Sequence, residues 1–379
     1  MPRRPRRLSD VQARFSGEPR SGRRRRRRAH EPRNGFEYLE IVAAVCKYFC
    51  KGHTATEIAE RMRDEHGVEM TREEPYQFIA YAAAQNWLRF AAPHDYRMQE
   101  TMKQRYPWLQ TAEVVQTAVF DDVARHAARA LLELVKLRCR PPYPAGKKDV
   151  HIGFAGGHAM RKLAQCFAEL LRQPTDGLPQ TLWFHAMAAG MSVYEPATDP
   201  NAFFTYFFKD PALQVDTRFV GLHAPPLVKT RQLRSLRSMH GIRESYREAR
   251  HLDIIVTSAG SWRDKHNMLK EYMNQSKNDL PTLEKAGCVG DFLWRPVGDA
   301  GPIDLATEIR AMTLMDLDDL PRFVQRGGHV MLTLGPCGGC GRPKTDILNT
   351  LLSMQTHLVT HLVVDSRTLR GIIDGAQAA

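Results

Sequence analysis

Between residues 149 and 365 six short apolar runs alternate with segments of helical period, and this restricts the fold more than any other feature of the chain. The runs are 149–155, 181–186, 219–223, 253–258, 329–334 and 361–364. They are too short for buried helices and apolar on both faces, which is the pattern of strands covered on both sides. Helical periodicity falls between them at 160–172, at 227–239 and onward to 250, from 268 past 271, and at 345–354. Strands alternating with helices predict an α/β fold with a mostly parallel, doubly wound, Rossmann-like sheet, whose ligands bind beyond the strand carboxyl ends.

Polar groups gather at those ends. Gly156, Gly157 and His158 follow the first run, where a glycine turn opening a helix exposes N–H groups to an anion. His223 to Pro226 follow the third run, and Ser258 and Gly260 close the fourth. Asp291 lies in GCVGDFLW, Lys344 opens the penultimate helix and Asp365 ends the last strand. A lysine beside a glycine turn neutralises a phosphate, and aspartates accept from sugar hydroxyls. Taken singly, each is better read as a solvated loop charge, and it is their gathering at the correct ends of one sheet that points to a ligand.

The net charge of +12 is concentrated at the amino end. Residues 1–33 carry 13 Arg against Asp10, Glu18 and Glu31, while the rest of the chain is nearly balanced. An arm with so few apolar residues is expected to be disordered alone. It is either a polyanion-binding arm or a solvated extension. No apolar segment follows it, so no secretory signal is expected.

From 35 to 97 the pattern is helical and compact. Tyr38, Ile41, Val42, Val45, Cys46 and Phe49 share one face, and Gly52 ends that helix. Thr54 and Glu57 have capping-box spacing before a second helix that carries Ile58, Ala59 and Met62 inward. Thr71 and Glu74 repeat the spacing before a third helix, with Pro75 in its first turn. Three short helices of this kind fit a helix-turn-helix whose third helix reads DNA through Thr71, Arg72, Tyr76 and Gln77. Trp87 to Phe90 would form the stub of a wing. Glu73 and Glu74 oppose that reading, because they would repel phosphates, and a helical assembly bundle is the alternative.

Val115, Val119, Val123, Ala127, Leu131 and Leu134 form a stripe in 98–148, a segment ending in the breaker cluster 141–146. The stripe is either an oligomerisation seam linking reader to sensor or a face packed on the chain's own sheet. Seven Cys without a secretory signal favour reduced thiols in a cytoplasmic protein. Cys337 and Cys340 have the spacing of two zinc ligands or a redox pair. A complete metal site needs two more ligands that the neighbouring sequence does not supply, so they are read as incidental thiols of a glycine-rich turn. No cofactor is expected, and a metal held by Cys337 and Cys340 is the lesser alternative. No apolar run is long enough to span a membrane.

The segments VGLHAPPLV, AGCVGDFLW, GRPKTDIL and THLVVD closely resemble the effector domain of the SorC/DeoR-like sugar-binding transcriptional regulators, over roughly 149–375. TATEIAERM resembles the start of their reader, over roughly 35–90. The resemblance implies an effector domain at 149–379 on an isomerase/deaminase-like fold. It matches Gly156, Gly157 and His158 to the phosphate loop, Asp291 to the acidic position and Lys344 to the lysine near an effector phosphate. Its loop lacks the family's usual Thr. The expected function is a dimeric or tetrameric regulator that binds operator DNA and a sugar or sugar phosphate. The alternative is a sugar-phosphate isomerase or deaminase on the same fold.

Overall fold

The computed structural model describes residues 35–85, 87–88, 91–140, 147–190, 195–274, 276, 278–304 and 307–377. The arginine-rich arm, Arg89 and Phe90 of the expected wing, and the breaker cluster 141–146 lie outside them. The chain divides into two compact units, Met1–Ala91 and Ala92–Ala379.

In the first unit three helices pack together: α1 (Gly35–Cys50), α2 (Ala55–His66) and α3 (Glu74–Ala84). The first capping box forms in full. Glu57 N–H donates to Thr54 Oγ1 at 3.3 Å, and Thr54 N–H donates to Glu57 Oε2 at 2.7 Å. Gly67, at φ 65°, ends α2 by donating its N–H to Arg63 O. At α3 only half of the second box exists. Thr71 N–H donates to Glu74 Oε2 at 2.6 Å, but no side chain caps the helix. Val42, Val45, Ile58, Met62, Phe78 and Ala82 are buried together. Each large side chain there contributes on the order of 1.5–3 kcal/mol. Phe49, expected inward, is exposed.

The second unit is built on a seven-stranded, wholly parallel sheet. Its strands are β1 (Thr111–Val115), β2 (Asp149–Phe154), β3 (Thr181–Ala186), β4 (Asp216–Val220), β6 (Ile254–Thr257), β12 (His329–Leu334) and β13 (His361–Asp365). They lie in the order β1-β13-β12-β6-β2-β3-β4. Strands β6 and β12 are buried at every position, as a sheet covered on both faces requires. α4 (Tyr96–Arg105) precedes β1, α5 (Phe120–Arg138) follows it, and α6 (His158–Leu171) joins β2 to β3.

The structure departs from the sequence reading in several places. β1 extends the sheet beside β13, and α5 buries Val123, Ala127 and Leu131 completely. Segment 98–148 is therefore part of the larger unit, and its apolar stripe packs on its own fold. Only Val119 of that stripe is exposed. β4 begins three residues before the apolar run 219–223. The segment from 227 opens with a strand, β5 (Leu227–Lys229), paired with β11 (Ile309–Ala311). Its helices are confined to Leu233–Ser238 and Ile242–Glu248, and Gly241, at φ 85°, separates them. A four-stranded antiparallel sheet, unforeseen in the sequence, comprises β7 (Ala259–Ser261), β8 (Cys288–Phe292), β9 (Arg295–Gly298) and β10 (Gly301–Pro302). Among the described residues no helix is long and apolar enough to cross a membrane.

At the strand amino ends Asp253 is buried and joins several elements. Its Oδ1 accepts from Arg138 at 2.6 Å and from Lys147, and its Oδ2 accepts from His151 N–H at 3.0 Å. Burial alone would raise its pKa, but Lys147, the His151 N–H and Arg138 together hold it below the usual carboxylate range.

The same sheet buries neutral histidines. Burial holds His185 and His361 down to about 3 and His329 to about 4, with neighbouring His151, His329 and Arg138 respectively adding to the effect. Unfolded imidazoles take up protons near pH 6.5 while these folded ones do not, so stability is full above that pH and falls as pH drops through it. The expected loss is at most about 4 kcal/mol per pH unit from the three groups. Urea midpoints at pH 7.5 and 5.5 check this, and equal midpoints would contradict it.

Candidate functional site

The strand order reverses between β2 and β6. From β2 the chain proceeds through β3 to β4 on one side, and from β6 it proceeds through β12 to β13 on the other. Loops leaving the carboxyl ends of β2 and β6 therefore diverge and leave a crevice, the usual ligand position of an open α/β sheet. Two open recesses of about 500 and 610 Å³ lie elsewhere, one beside β5 and one beside Asp253. Topology and converging polar groups favour the crevice over either.

Four of the expected residues meet there around β7. Gly260 lies opposite Asp291 in the β7–β8 register. A Cβ at Gly260 would fall on Asp291 Oδ1 and the Asn267 amide, so the missing side chain makes room for the carboxylate. Asn267 Nδ2 donates to Asp291 Oδ1 at 2.9 Å. Asn267 Oδ1 accepts from Lys270 N–H at 2.7 Å, which caps α7 (Met268–Met273). One buried amide thus starts a helix and aims an acid. Lys344 Nζ donates to Ala259 O at 2.8 Å, just before α8 (Thr345–Ser353). Ser258 Oγ is buried and has no hydrogen-bond partner among the described residues. Ser261 Oγ donates to Asp346 Oδ2 at 2.7 Å, tying β7 to α8.

Burial raises the Asp291 carboxyl to about 6, although the Asn267 donor and the Lys344 charge oppose it. Burial lowers Lys344, and Asp291, Asp264, Cys337 and Asp346 oppose that. Both groups give up ion hydration in this place. A polar ligand that bonds to both would recover it.

The glycine turn borders the crevice through Trp294. Gly156 is closely packed: a Cβ there would crowd Thr198 O at 3.2 Å and touch the Trp294 ring at 3.5 Å. Gly157 adopts φ 111°, but its N–H donates to Thr198 O at 2.8 Å and is not open to an anion. His158 is exposed and pairs with Glu195 at 2.8 Å. Leu293 and Trp294 both have positive φ, 50° and 61°, in the two-residue turn between β8 and β9. That conformation disfavours side chains, and two buried non-glycine residues there mark stored strain beside the crevice.

Asp365 has a different place from the one expected. It is fully buried, and its oxygens accept from Thr368 N–H at 2.9 Å and Thr368 Oγ1 at 2.5 Å, at the start of α9 (Ser366–Gln377). Thr368 Oγ1 also accepts from Lys344 N–H at 3.4 Å. Thr368 thus links Asp365 to the Lys344 backbone.

Cys337 and Cys340 are accompanied by Asp264 and His266, and one ligand atom of each residue lies within 4.8 Å of the others. Two further side chains of metal-ligating type, Asp264 and His266, therefore stand beside the thiols, brought there from a distant part of the sequence. A second group, His94, Glu113 and His126, meets the same criterion. Asn267, Trp294, Asp264 and His266 were missed in the sequence, whereas Ser261 lies in the polar stretch 258–261 that closes the fourth run. Only the D-x-H spacing of Asp264 and His266 offered a signal.

In the first unit Thr71, Arg72 and Tyr76 are exposed and Gln77 is half-buried. Glu73 is exposed beside them.

The family model described as "Putative sugar-binding domain" matches residues 92–325. The chain belongs to this sugar-binding-domain family. The matched span begins where the second unit begins and includes Gly156, Ser258, Gly260 and Asp291. The chain is similar in structure to the full-length sorbitol operon regulator SorC from Klebsiella pneumoniae, with TM-score 0.62 and 17% identity over 89% of this chain and 99% of that one. It is also similar to a DeoR family transcriptional regulator from Listeria monocytogenes, with TM-score 0.53 and 19% identity over 73% and 98%. A transcriptional regulator from Streptococcus pneumoniae gives TM-score 0.54 and 16% identity over 74% and 97%. No curated protein matches the chain. At these identities the neighbours establish the fold of the sugar-binding domain.

Proposed function

We propose that the chain is a transcriptional regulator that binds operator DNA through residues 35–91 and a sugar or sugar phosphate through the crevice between β2 and β6. The observation that carries the proposal is the meeting of Asp291, Lys344 and the unpartnered Ser258 at the switch point of a sugar-binding-domain protein. Lys344 neutralises an anionic group of the effector. Asp291, aimed by Asn267, accepts from its hydroxyls, Ser258 offers a further donor, and Gly260 keeps the space clear. The turn Gly156, Gly157 and His158 flanks the far side, with His158 rather than a free Gly157 N–H available to the ligand. Asp365 holds Thr368, and Thr368 holds the Lys344 backbone. Thr71, Arg72, Tyr76 and Gln77 contact the operator, and two copies of the chain read two half-sites. Effector binding shifts operator affinity by linkage.

The SorC fold match over 89% of this chain, a larger share than the second unit alone, supports the regulator reading over an isomerase or deaminase. A calorimetric screen of sugars and sugar phosphates tests the crevice, with Asp291→Asn as the control. Above about pH 6 Asp291 is a carboxylate and accepts from hydroxyls, and below it the group is protonated. Effector affinity, read with a ligand that does not itself titrate, is therefore expected to be about tenfold weaker at pH 5 than at pH 7. Asp291→Asn should flatten that profile. A flat profile in the unsubstituted protein would remove Asp291 from the site.

A further inference from the structure

Asp264 and His266 follow β7, which continues from β6, and Cys337 and Cys340 follow β12. β6 and β12 are adjacent parallel strands. The loops at their carboxyl ends therefore meet, although 71 positions separate His266 from Cys337. His266 Nδ1 lies 3.4 Å from Cys337 Sγ and 3.3 Å from Asp264 Oδ1, and Cys340 Sγ lies 3.7 Å from the same oxygen. The imidazole–carboxylate separation is long for a hydrogen bond. All three distances fit the edges of a tetrahedron around zinc. With Zn–S near 2.3 Å and Zn–N or Zn–O near 2.0 Å, mixed sulfur edges are about 3.5 Å and the N–O edge is about 3.3 Å.

The turn carrying the thiols is shaped for this approach. Gly341, at φ 68°, donates its N–H to Cys337 O at 2.8 Å, and Cys337 N–H donates to Arg342 O at 2.9 Å. A Cβ at Gly339 would press to 2.8 Å from the His266 ring, so the glycine lets the imidazole lie this close to the turn. Asp264 and Cys337 are buried while His266 and Cys340 are exposed, which gives an inner half and an open entry side.

We propose that Asp264, His266, Cys337 and Cys340 bind one Zn²⁺ in a closed tetrahedral site that clamps the loop after β7 to the loop after β12. Two thiolates with an imidazole select zinc over magnesium or calcium, and four protein ligands make the site structural. On binding, the two thiols release their protons to solvent. The clamp joins the segment that carries Asn267, and so Asp291, to the one that carries Lys344. The proposal rests on this geometry and not on the identity of any effector.

Metal analysis of the full chain, purified under reducing conditions without chelator, tests it. The Cys337→Ser/Cys340→Ser variant should hold one zinc equivalent fewer than the unsubstituted chain. Reading the difference excludes any metal held at His94, Glu113 and His126. Co²⁺ added to the metal-stripped chain should give thiolate-to-cobalt charge transfer and the strong visible absorption of tetrahedral Co²⁺. In case the double variant misfolds, His266→Ala at the exposed ligand should retain the charge-transfer band but bind Co²⁺ more weakly. Equal zinc content in the unsubstituted and double-variant chains would overturn the proposal. So would a cobalt spectrum without thiolate charge transfer.

Discussion

Replacing Asp253 by Ala is expected to cost the fold about 3–5 kcal/mol, the loss typical of removing one partner from a buried ion pair. The Arg138 side chain is only 9% exposed and the Asp253 side chain 2%, so the guanidinium left behind has little access to water. Lys147, at 34% exposed, can turn outward and soften the loss. Asp253 also holds the His151 N–H, and Arg138 donates to Gly327 O at 3.0 Å, so the substitution loosens β2, β6 and the entry to β12 together. Urea unfolding measures the change. Replacing Asp253 by Leu and Arg138 by Met together should recover much of it, because the buried charge is then gone and the Lys147 ammonium that remains can reach water. A loss below about 1 kcal/mol in Asp253→Ala would show that this pair behaves as a surface one.

Lys344→Ala should weaken effector binding by about 30- to 1,000-fold, corresponding to about 2–4 kcal/mol for a charge-assisted contact and the acid left unpaired. Operator affinity without effector should stay unchanged. The Lys344 charge holds Asp291 below the value that burial alone would set. Its removal should therefore move the pH dependence of any remaining binding upward. Calorimetry reads the effector, and fluorescence anisotropy of labelled operator reads the DNA. Lost operator binding with unchanged effector affinity would contradict this division of labour.

The central strands were legible in the sequence because burial on both faces leaves unbroken apolar runs such as 254–257 and 329–334. Thr54 and Glu57 were legible because a capping box is local. β1 was not, since Thr111–Val115 has a charge at its centre and pairs with a strand 250 positions away. The antiparallel sheet also escaped notice, because its strands have two to five residues and contain Gly and Pro. Asp291 and Lys344 were found from resemblance and position, yet their setting depends on Gly260 and Asn267, whose contacts no spacing reveals. The contact of Asp365 with Thr368 is not legible, because an acid at a strand end looks alike in sequence whether it meets a hydroxyl of a sugar or that of a neighbouring threonine. The ligand set around Cys337 was hidden by distance along the chain, and adjacency of β6 and β12 brings it together.

In the proposed function, residues 35–91 read an operator under control of the crevice. The most direct test is anisotropy of DNA from upstream of the chain's own coding sequence, against a scrambled duplex, with protein lacking residues 1–34 at near-physiological salt. A regulator should prefer the upstream DNA by about a thousandfold or more. A sugar or sugar phosphate should shift this preference in the unsubstituted protein and not in Lys344→Ala. Equal weak binding to both duplexes, unmoved by any such ligand, would rule out operator recognition by this chain.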